Sequence, residues 1–564
     1  MFRQSKTTSQ LNLFTSSHSH LSGKAKKIFV DGDKWHNQFR ERILEKIDED
    51  IFRCLFTEDL GAPNASIRVL VGMMILKEAH GCSDSYLFDS CMFHTLFRSA
   101  LGLFNSDDPV PVPSTYYLFR KKILDWEKAG NGNLLEQVFA QITKEQIAEF
   151  NINGNKVRMD SKLLGSNIAW LSRYEIVHET LRLACKSIKI PFDKLLTASE
   201  LKALNEINTE ACSSVSYRST NSQLESKLVQ LGVIIFKLLT ALKNDVSEPI
   251  ELLRKVFYQQ FEVVESEVIL LPKERLIPGR IESPHDPESE YHQKADQKQK
   301  GYTVNITETC NPDNPINLIT NVIVEPANTS DNKLMIPALE NTQEMFPQKI
   351  ETINADGGYH STQNHDYCSD KEIDFILSAL GSTNSRLDLS VDADGNLICV
   401  DKETETFLQT RKVISRKENS PTKWAVYFPE GKKLRYIYQK AVDICLLRKQ
   451  IASRSKEELN LRNNVEATIF QLGYHYRANK SRYRGLIKHR IWANARCLWI
   501  NFVRIMKYKT SLNPKSVNTY QNCALNIDKC VFFVQNLIIN AIFSLEKIFF
   551  RFRNILTLTL LKYD

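Results

Sequence analysis

Apolar residues recur at helical spacing over the first part of the chain. In "ASIRVLVGMMILKEAHG", Ile67, Leu70, Val71 and Met74 fall at i, i+3, i+4 and i+7, and Gly81 stands where a helix C-cap belongs. Ser83 can cap a second helix carrying Tyr86, Leu87 and Met92; Pro113 and Ser114 open a third, "TYYLFRKKILDW". There Arg120, Lys121 and Lys122 sit beside an apolar face of Leu118, Phe119, Ile123 and Leu124. Residues 31–150 therefore read as all-helical. Short helices ending in a basic one suit DNA binding; a plain bundle with a solvated Lys/Arg cluster gives the same pattern equally well.

The period then changes. "NKVRMDSKLL" is a short β-type run that delivers Asp160. A long helical stretch follows, from Arg173 to Ser266, and reads as an insertion over residues 171–282. A polar loop, "IESPHDPESEYHQKADQKQKGY", leads to two strand-like runs, "YTVNITET" and "INLITNVIVEPAN". The helix "KLMIPALENTQ" precedes "IETINADGG", a strand that ends on Asp356. Strand, strand, strand, helix, strand implies a mixed α/β sheet, with Asp160 and Asp356 at strand ends. Residues 375–440 are β-rich and turn-rich. Their "DADGN" lacks the later glycine and glutamate of a calcium loop and reads as a hairpin turn. The chain then becomes helical again, with Glu466 mid-helix in "LRNNVEATIFQLGY". Val465, Ile469 and Leu472 would pack on the sheet, and Arg462 lies one turn earlier on the same side.

Composition narrows the class. A chain of 564 residues, 42% hydrophobic and 25% charged, is an ordinary multi-domain soluble protein, and its net charge of +8 favours a polyanionic partner. Its twelve cysteines form no CxxC pair, which suits reduced thiols in the cytoplasm and leads us to expect no zinc site. Residues 1–30 read as a disordered basic tail without a secretory signal. The apolar run Val531–Leu545 carries Gln535, Asn536 and Asn540 and is too short for a membrane span, so residues 509–564 read as a helical tail.

Charge is distributed unevenly. From Ala467 to Ile527 there is no acidic residue, whereas Arg477, Lys480, Arg482, Arg484, Lys488 and Arg490 crowd together. Tyr474, Tyr476, Tyr483, Trp492 and Trp499 interleave with the basic run. Such a surface can track a phosphate backbone. Upstream, Asp356 is followed by Gly357 and Gly358, which form either a simple turn or an open space for a cation and a phosphate. If Asp160, Asp356 and Glu466 meet at one sheet edge, three hard oxygen donors could hold Mg²⁺ or Mn²⁺.

At these residues the sequence resembles a bacterial insertion-sequence transposase of the DDE class. "SIRVLVGMMILKEAHGCSDSYLFDS" and "VPSTYYLFRKKIL" resemble an InsH-type N-terminal domain; "VRMDSKLLGSN", "SPHDPES…KQKGYTVNITET", "TINADGGYHS" and "RNNVEATIFQLGYHYRANKSRYRGLIKHR" resemble the catalytic blocks. The resemblance implies an RNase H-like core over residues 151–508 and catalysis by Asp160, Asp356 and Glu466. It also implies two Mg²⁺ or Mn²⁺ ions, double-stranded DNA as partner, a homodimer on DNA, and a nucleoid-associated location without membrane attachment. DNA contacts would come from Arg120, Lys121, Lys122, Arg462 and the basic run Arg477–Arg490. A Tyr-x2-Arg-x3-Glu-x6-Lys signature is common in related enzymes. Here Arg462 and Glu466 fit it, but Leu459 and Gly473 replace its tyrosine and lysine, and Lys480 or Arg477 would have to serve instead. His285 and Asp286 of the polar loop read as loop-capping residues or DNA contacts. The rival readings are a DNA-binding protein that has lost catalysis and a general RNase H-type nuclease.

Overall fold

The computed structural model describes residues 1–5, 16, 19–294, 297–381, 385–413, 422–428 and 434–512. Contacts divide the chain into one unit over Met1–Phe502 and another over Val503–Asp564. The only described part of the second is the end of a long helix, Leu486–Leu512, so most of the expected C-terminal tail lies outside the described residues.

The centre of the larger unit is a mixed sheet. In chain order the first eight strands are β1 (Lys156–Gly165), β2 (Phe261–Val264), β3 (Glu267–Leu270), β4 (Glu290–Lys294), β5 (Gln297–Thr309), β6 (Ile319–Pro326), β7 (Thr352–Ala355) and β8 (Asp374–Leu377), of which β2 and β3 form a hairpin of their own outside the sheet. The sheet order is β4-β5-β1-β7-β8, with β6 also paired to β5. The β5 strand runs antiparallel to β1, whereas β7 runs parallel to β1 and β8 parallel to β7. Three antiparallel strands followed by a helical crossover, Asp331–Gln343, into two parallel ones is the RNase H-like order. Val157 and Met159 of β1 pack with Met335, Ala338 and Leu339 of that helix.

Two insertions interrupt this core. Helices from Arg173–Cys185 to Glu248–Gln260, closed by the β2–β3 hairpin, surround their own apolar cluster of Ile234, Ile235, Leu238, Leu253 and Phe257. The second insertion is an antiparallel sheet of β9 (Leu387–Val391), β10 (Leu397–Asp401), β11 (Thr406–Val413), β12 (Lys423–Tyr427) and β13 (Leu434–Tyr438). It begins after β8, later than the sequence suggested, because Asp374–Leu377 pairs within the central sheet. "DADGN" is indeed a hairpin turn: Asp392 accepts from the backbone of Asp394 and Asn396, and Gly395 takes the left-handed conformation at φ 78°.

The N-terminal helices form as their caps predict. Ser66 accepts from the Val69 amide, Gly81 ends the helix Ile67–His80 at φ 59°, and Pro113 opens Pro113–Lys128. Leu87, Phe119 and Ile123 are buried, whereas Tyr86, Met92 and Leu118 face solvent. These helices belong to the same compact unit as the sheet: Trp35 and Phe39 pack edge-on against Trp499 and Phe502. The expected tail is structured where it is described. Phe2 donates its amide to Thr57 O, and Gly23–Val30 is helical; residues 6–15, 17 and 18 lie outside the described residues.

Candidate active site

Alternation along β1 sets the site. The residues Arg158, Asp160 and Lys162 meet the helix Asn463–Gly473 and the turn before it, opposite the face carrying Val157 and Met159. Arg158 pairs with fully buried Glu308 of β5 at 2.6 Å, and Thr468 of the helix donates to the same carboxylate at 2.8 Å. Arg158 also donates to Leu461 O at 2.8 Å. That carbonyl lies at the break between two short helices, Lys456–Asn460 and Asn463–Gly473, so a buried ion pair fixes where the second helix starts.

Three carboxylates meet around one guanidinium at this point. Arg462 reaches Asp160 at 2.9 Å, Glu466 at 3.5 Å and Asp356 at 3.9 Å. Asp160 is buried, Asp356 half-buried, and Glu466 63% exposed at its side chain, so the cluster opens toward solvent on the helix side. Burial pushes the Asp160 carboxyl above its ordinary range; Arg462 and the Ser161 amide oppose this, and neighbouring Asp356 adds to it. A fourth acid, Asp331, accepts from Ser161 Oγ at 2.6 Å. Between them lies Tyr359, whose phenol is driven far up by burial and then by Asp331, Asp160 and Asp356; it accepts a hydrogen bond from Asn305.

Sequence reading put these acids together but misplaced two of them locally. Asp160 is mid-strand, because β1 continues to Gly165 alongside β5. Asp356 does follow the end of β7 directly. Glu466 lies in the first turn of its helix, not the middle, since the chain breaks at Arg462. Gly357 and Gly358 leave no open space. A Cβ at Gly357 would overlap Ala379 O, and one at Gly358 would come within 2.9 Å of Asp356 and 3.0 Å of Asp331. They let a short 3₁₀ turn pass between carboxylates, and Asp356 caps that turn by accepting from the Gly358 amide at 2.8 Å.

The basic run divides sharply. Arg477, Arg482 and, on the N-terminal helix, Lys121 are exposed, and their side chains make no hydrogen bond or ion pair among the described residues. The others, Lys488 apart, have partners. Arg490 binds Glu325 at 2.7 Å and Glu127 at 3.2 Å. Lys480 donates to Ile168 O at 2.7 Å, and Arg484 to Asn167 O at 2.6 Å. Arg120 is mostly buried beside Asp84 and over Tyr116, and Lys122 donates to Leu55 O at 2.9 Å. Lys488 is half-buried, and its ammonium is pulled down by burial and then by Arg120 and Lys128. Tyr483 and Trp492 are buried and Trp499 packs among N-terminal rings, so the helix Leu486–Leu512 is a core element over Leu486–Phe502 rather than a DNA-tracking surface. Acidic partners absent from the local sequence, such as Glu78, Glu127 and Glu325, arrive from distant segments.

One site residue had no motif to reveal it. Lys162 Nζ lies 2.8 Å from where a Cβ on Gly473 would stand, the position of the missing signature lysine. Burial holds its ammonium below the ordinary range, and it makes no hydrogen bond or ion pair among the described residues. The strand alternation that links it to Asp160 was the available signal. Asp286 has the capping role: Ser166 Oγ, Tyr302 Oη (2.6 Å) and the Gly485 amide (2.9 Å) all donate to it, tying the polar loop to β1, β5 and the turn before the last helix.

The description Transposase DDE domain matches residues 277–502, and Transposase domain (DUF772) matches residues 30–122, together more than half of the chain. The chain belongs to the insertion-sequence DDE transposases. No curated protein and no solved structure matches it. Transposases of this class act on DNA and generally use divalent metal ions. The residues present fit such an ion. The three carboxylates are not drawn within 4.8 Å of one another, yet each turns an oxygen to the same cation, Arg462, which supplies the charge a metal would. Hard oxygen donors suit magnesium or manganese better than softer ions. Among the described residues no helix is long and apolar enough to cross a membrane.

Proposed function

We propose that Asp160, Asp356 and Glu466 are the catalytic acids with which this transposase cuts terminal inverted repeats and joins the freed ends to target DNA. The convergence of all three on Arg462 carries this reading. Two Mg²⁺ or Mn²⁺ ions would be held, one by Asp160 with Asp356 and one by Asp160 with Glu466; bound there, they would activate the attacking oxygen and stabilise the leaving one.

The protein's own residues provide the rest. Tyr359 and Asn305 hold the floor beneath the acids, and the Gly358 amide fixes the Asp356 rotamer. Arg462, once its guanidinium leaves the three carboxylates, would take a phosphate oxygen of the element end. Lys162 supplies a second cation on the same side, in place of the expected Lys480, whose ammonium is already engaged. Water attacks phosphorus and the P–O3′ bond breaks, leaving a 3′-hydroxyl; that hydroxyl then attacks a target phosphate and expels its 3′ oxygen. No covalent bond to protein is needed. The exposed Arg477, Arg482 and Lys121 are the remaining proposed DNA contacts, and a homodimer would bring two ends together.

The test is strand nicking and joining on DNA carrying the element's own flanking ends, with parent and Glu466→Gln compared. The parent should act only with divalent metal. The variant should bind equally but act more than about a hundredfold more slowly, since loss of even an outer hydrogen-bond partner of a metal ligand costs about 10–100-fold. Equal binding with no cleavage by the parent on any candidate end would favour a DNA-binding protein that has lost catalysis.

A further inference from the structure

We propose a zinc site, separate from the carboxylate cluster, that staples the helical insertion to the polar loop. Its ligands are His178 and Glu179 on the helix Arg173–Cys185, Cys212 at the start of Cys212–Arg218, and His285 of the loop. One ring nitrogen of His178, a carboxylate oxygen of Glu179 and Cys212 Sγ lie within 4.8 Å of one another. The His285 Nε2 atom stands 2.9 Å from Glu179 Oε1.

His178 is the anomaly that points to a ligand. It is fully buried, and neither ring nitrogen has a hydrogen-bond partner among the described residues. Buried polar nitrogens without partners are costly, and an imidazole left bare beside a thiol and a carboxylate is explained by a metal ion. Nitrogen, sulfur and oxygen donors together select a borderline-soft ion, zinc, over the magnesium suited to the all-carboxylate cluster. The donor separations in a tetrahedral zinc site are about 3.3–3.6 Å, so His178, Glu179 and Cys212 need close in by only about an ångström, while His285, outside that cluster, would turn in from its hydrogen bond to Glu179. On charge, the Cys212 thiolate and Glu179 oppose a divalent ion; Arg182 meets both Glu179 oxygens, at 2.8 and 2.5 Å, and would yield one of them to the metal.

The consequence is mechanical. His285 adjoins Asp286, the residue that ties the loop to β1, β5 and the Gly485 turn. Zinc bound here would fix the helical insertion to the frame holding the carboxylates. The spacing of cysteines along the chain hides such a site, because its ligands come from three separate segments.

The experiment uses the full chain, purified without chelator and passed through gel filtration. Zinc is counted by mass spectrometry, and Co²⁺-loaded protein is examined for a thiolate-to-cobalt charge-transfer band. We expect about one retained zinc per chain, a tetrahedral cobalt spectrum with that band, and loss of both in Cys212→Ser and His178→Gln. Cys212→Ser, at a half-exposed position, keeps the test decisive if His178→Gln fails to fold. Glu466→Gln should retain its zinc, which separates this site from the carboxylates. Sub-stoichiometric zinc, a cobalt spectrum without thiolate character, or full retention in Cys212→Ser would overturn the proposal.

Discussion

Arg462→Met removes the cation that three acids share and leaves an aliphatic stem of similar reach. The contact with Asp160 dominates, because it is the shortest, at 2.9 Å, and both groups are largely buried, with side-chain exposures of 17% and 9%. The contact with Glu466 is 3.5 Å long and its carboxylate is 63% exposed, so it counts for little. A charge-assisted hydrogen bond of the Asp160 kind is worth about 1.5–3 kcal/mol. Any divalent ion entering the site must displace that bond in the parent but not in the variant. The variant should therefore bind Mn²⁺ about 10–100-fold more tightly, measured by electron paramagnetic resonance titration of free Mn²⁺. Without metal it should be less stable than the parent, and added Mn²⁺ should narrow the gap. DNA joining should still slow, since the proposed phosphate contact is gone. Unchanged or weaker Mn²⁺ binding would refute the idea that Arg462 stands where metal charge belongs.

Two further outcomes follow from neighbouring groups. The folded-state pKa of Asp160 is raised, chiefly by burial, so its contribution to stability is greatest in acid and is lost as pH climbs through and above the ordinary carboxylate range. Metal-free Asp160→Asn should therefore gain stability relative to the parent as pH rises toward neutral in urea melts; a gain that shrinks with rising pH would contradict the assignment. Lys162→Met should lower the slope of log affinity against log salt for element-end DNA by about 0.9. By contrast Arg490→Met, which loses Glu127 and Glu325, should lower stability and leave that slope unchanged.

The core topology was legible because its strands have a clean period and its crossover helix sits where the order demands. Asp356 was readable for the same reason: a strand ending in Asp-Gly-Gly has few alternatives. The start of the Glu466 helix was not readable, since "LNLRNNVEAT" contains neither glycine nor proline; the break is imposed from outside by Arg158 on Leu461 O. The basic run misled because charge balance is three-dimensional. Arg490 looks unpaired along the sequence but meets Glu127 and Glu325, while Trp492 and Tyr483 turn inward against the N-terminal helices. Gly473 looked like a missing lysine until β1 placed Lys162 against it. Local pattern reported elements; which charges remained available was decided by packing.

The most direct test of a shared metal centre is a change of ligand softness at Asp356. Asp356→Cys should not nick element-end DNA with Mg²⁺ and should recover nicking with Mn²⁺ or Cd²⁺, which accept a thiolate. Equal nicking by parent and variant in Mg²⁺, or no recovery with any thiophilic ion while Asp160→Asn remains active, would show that these acids do not hold the metal.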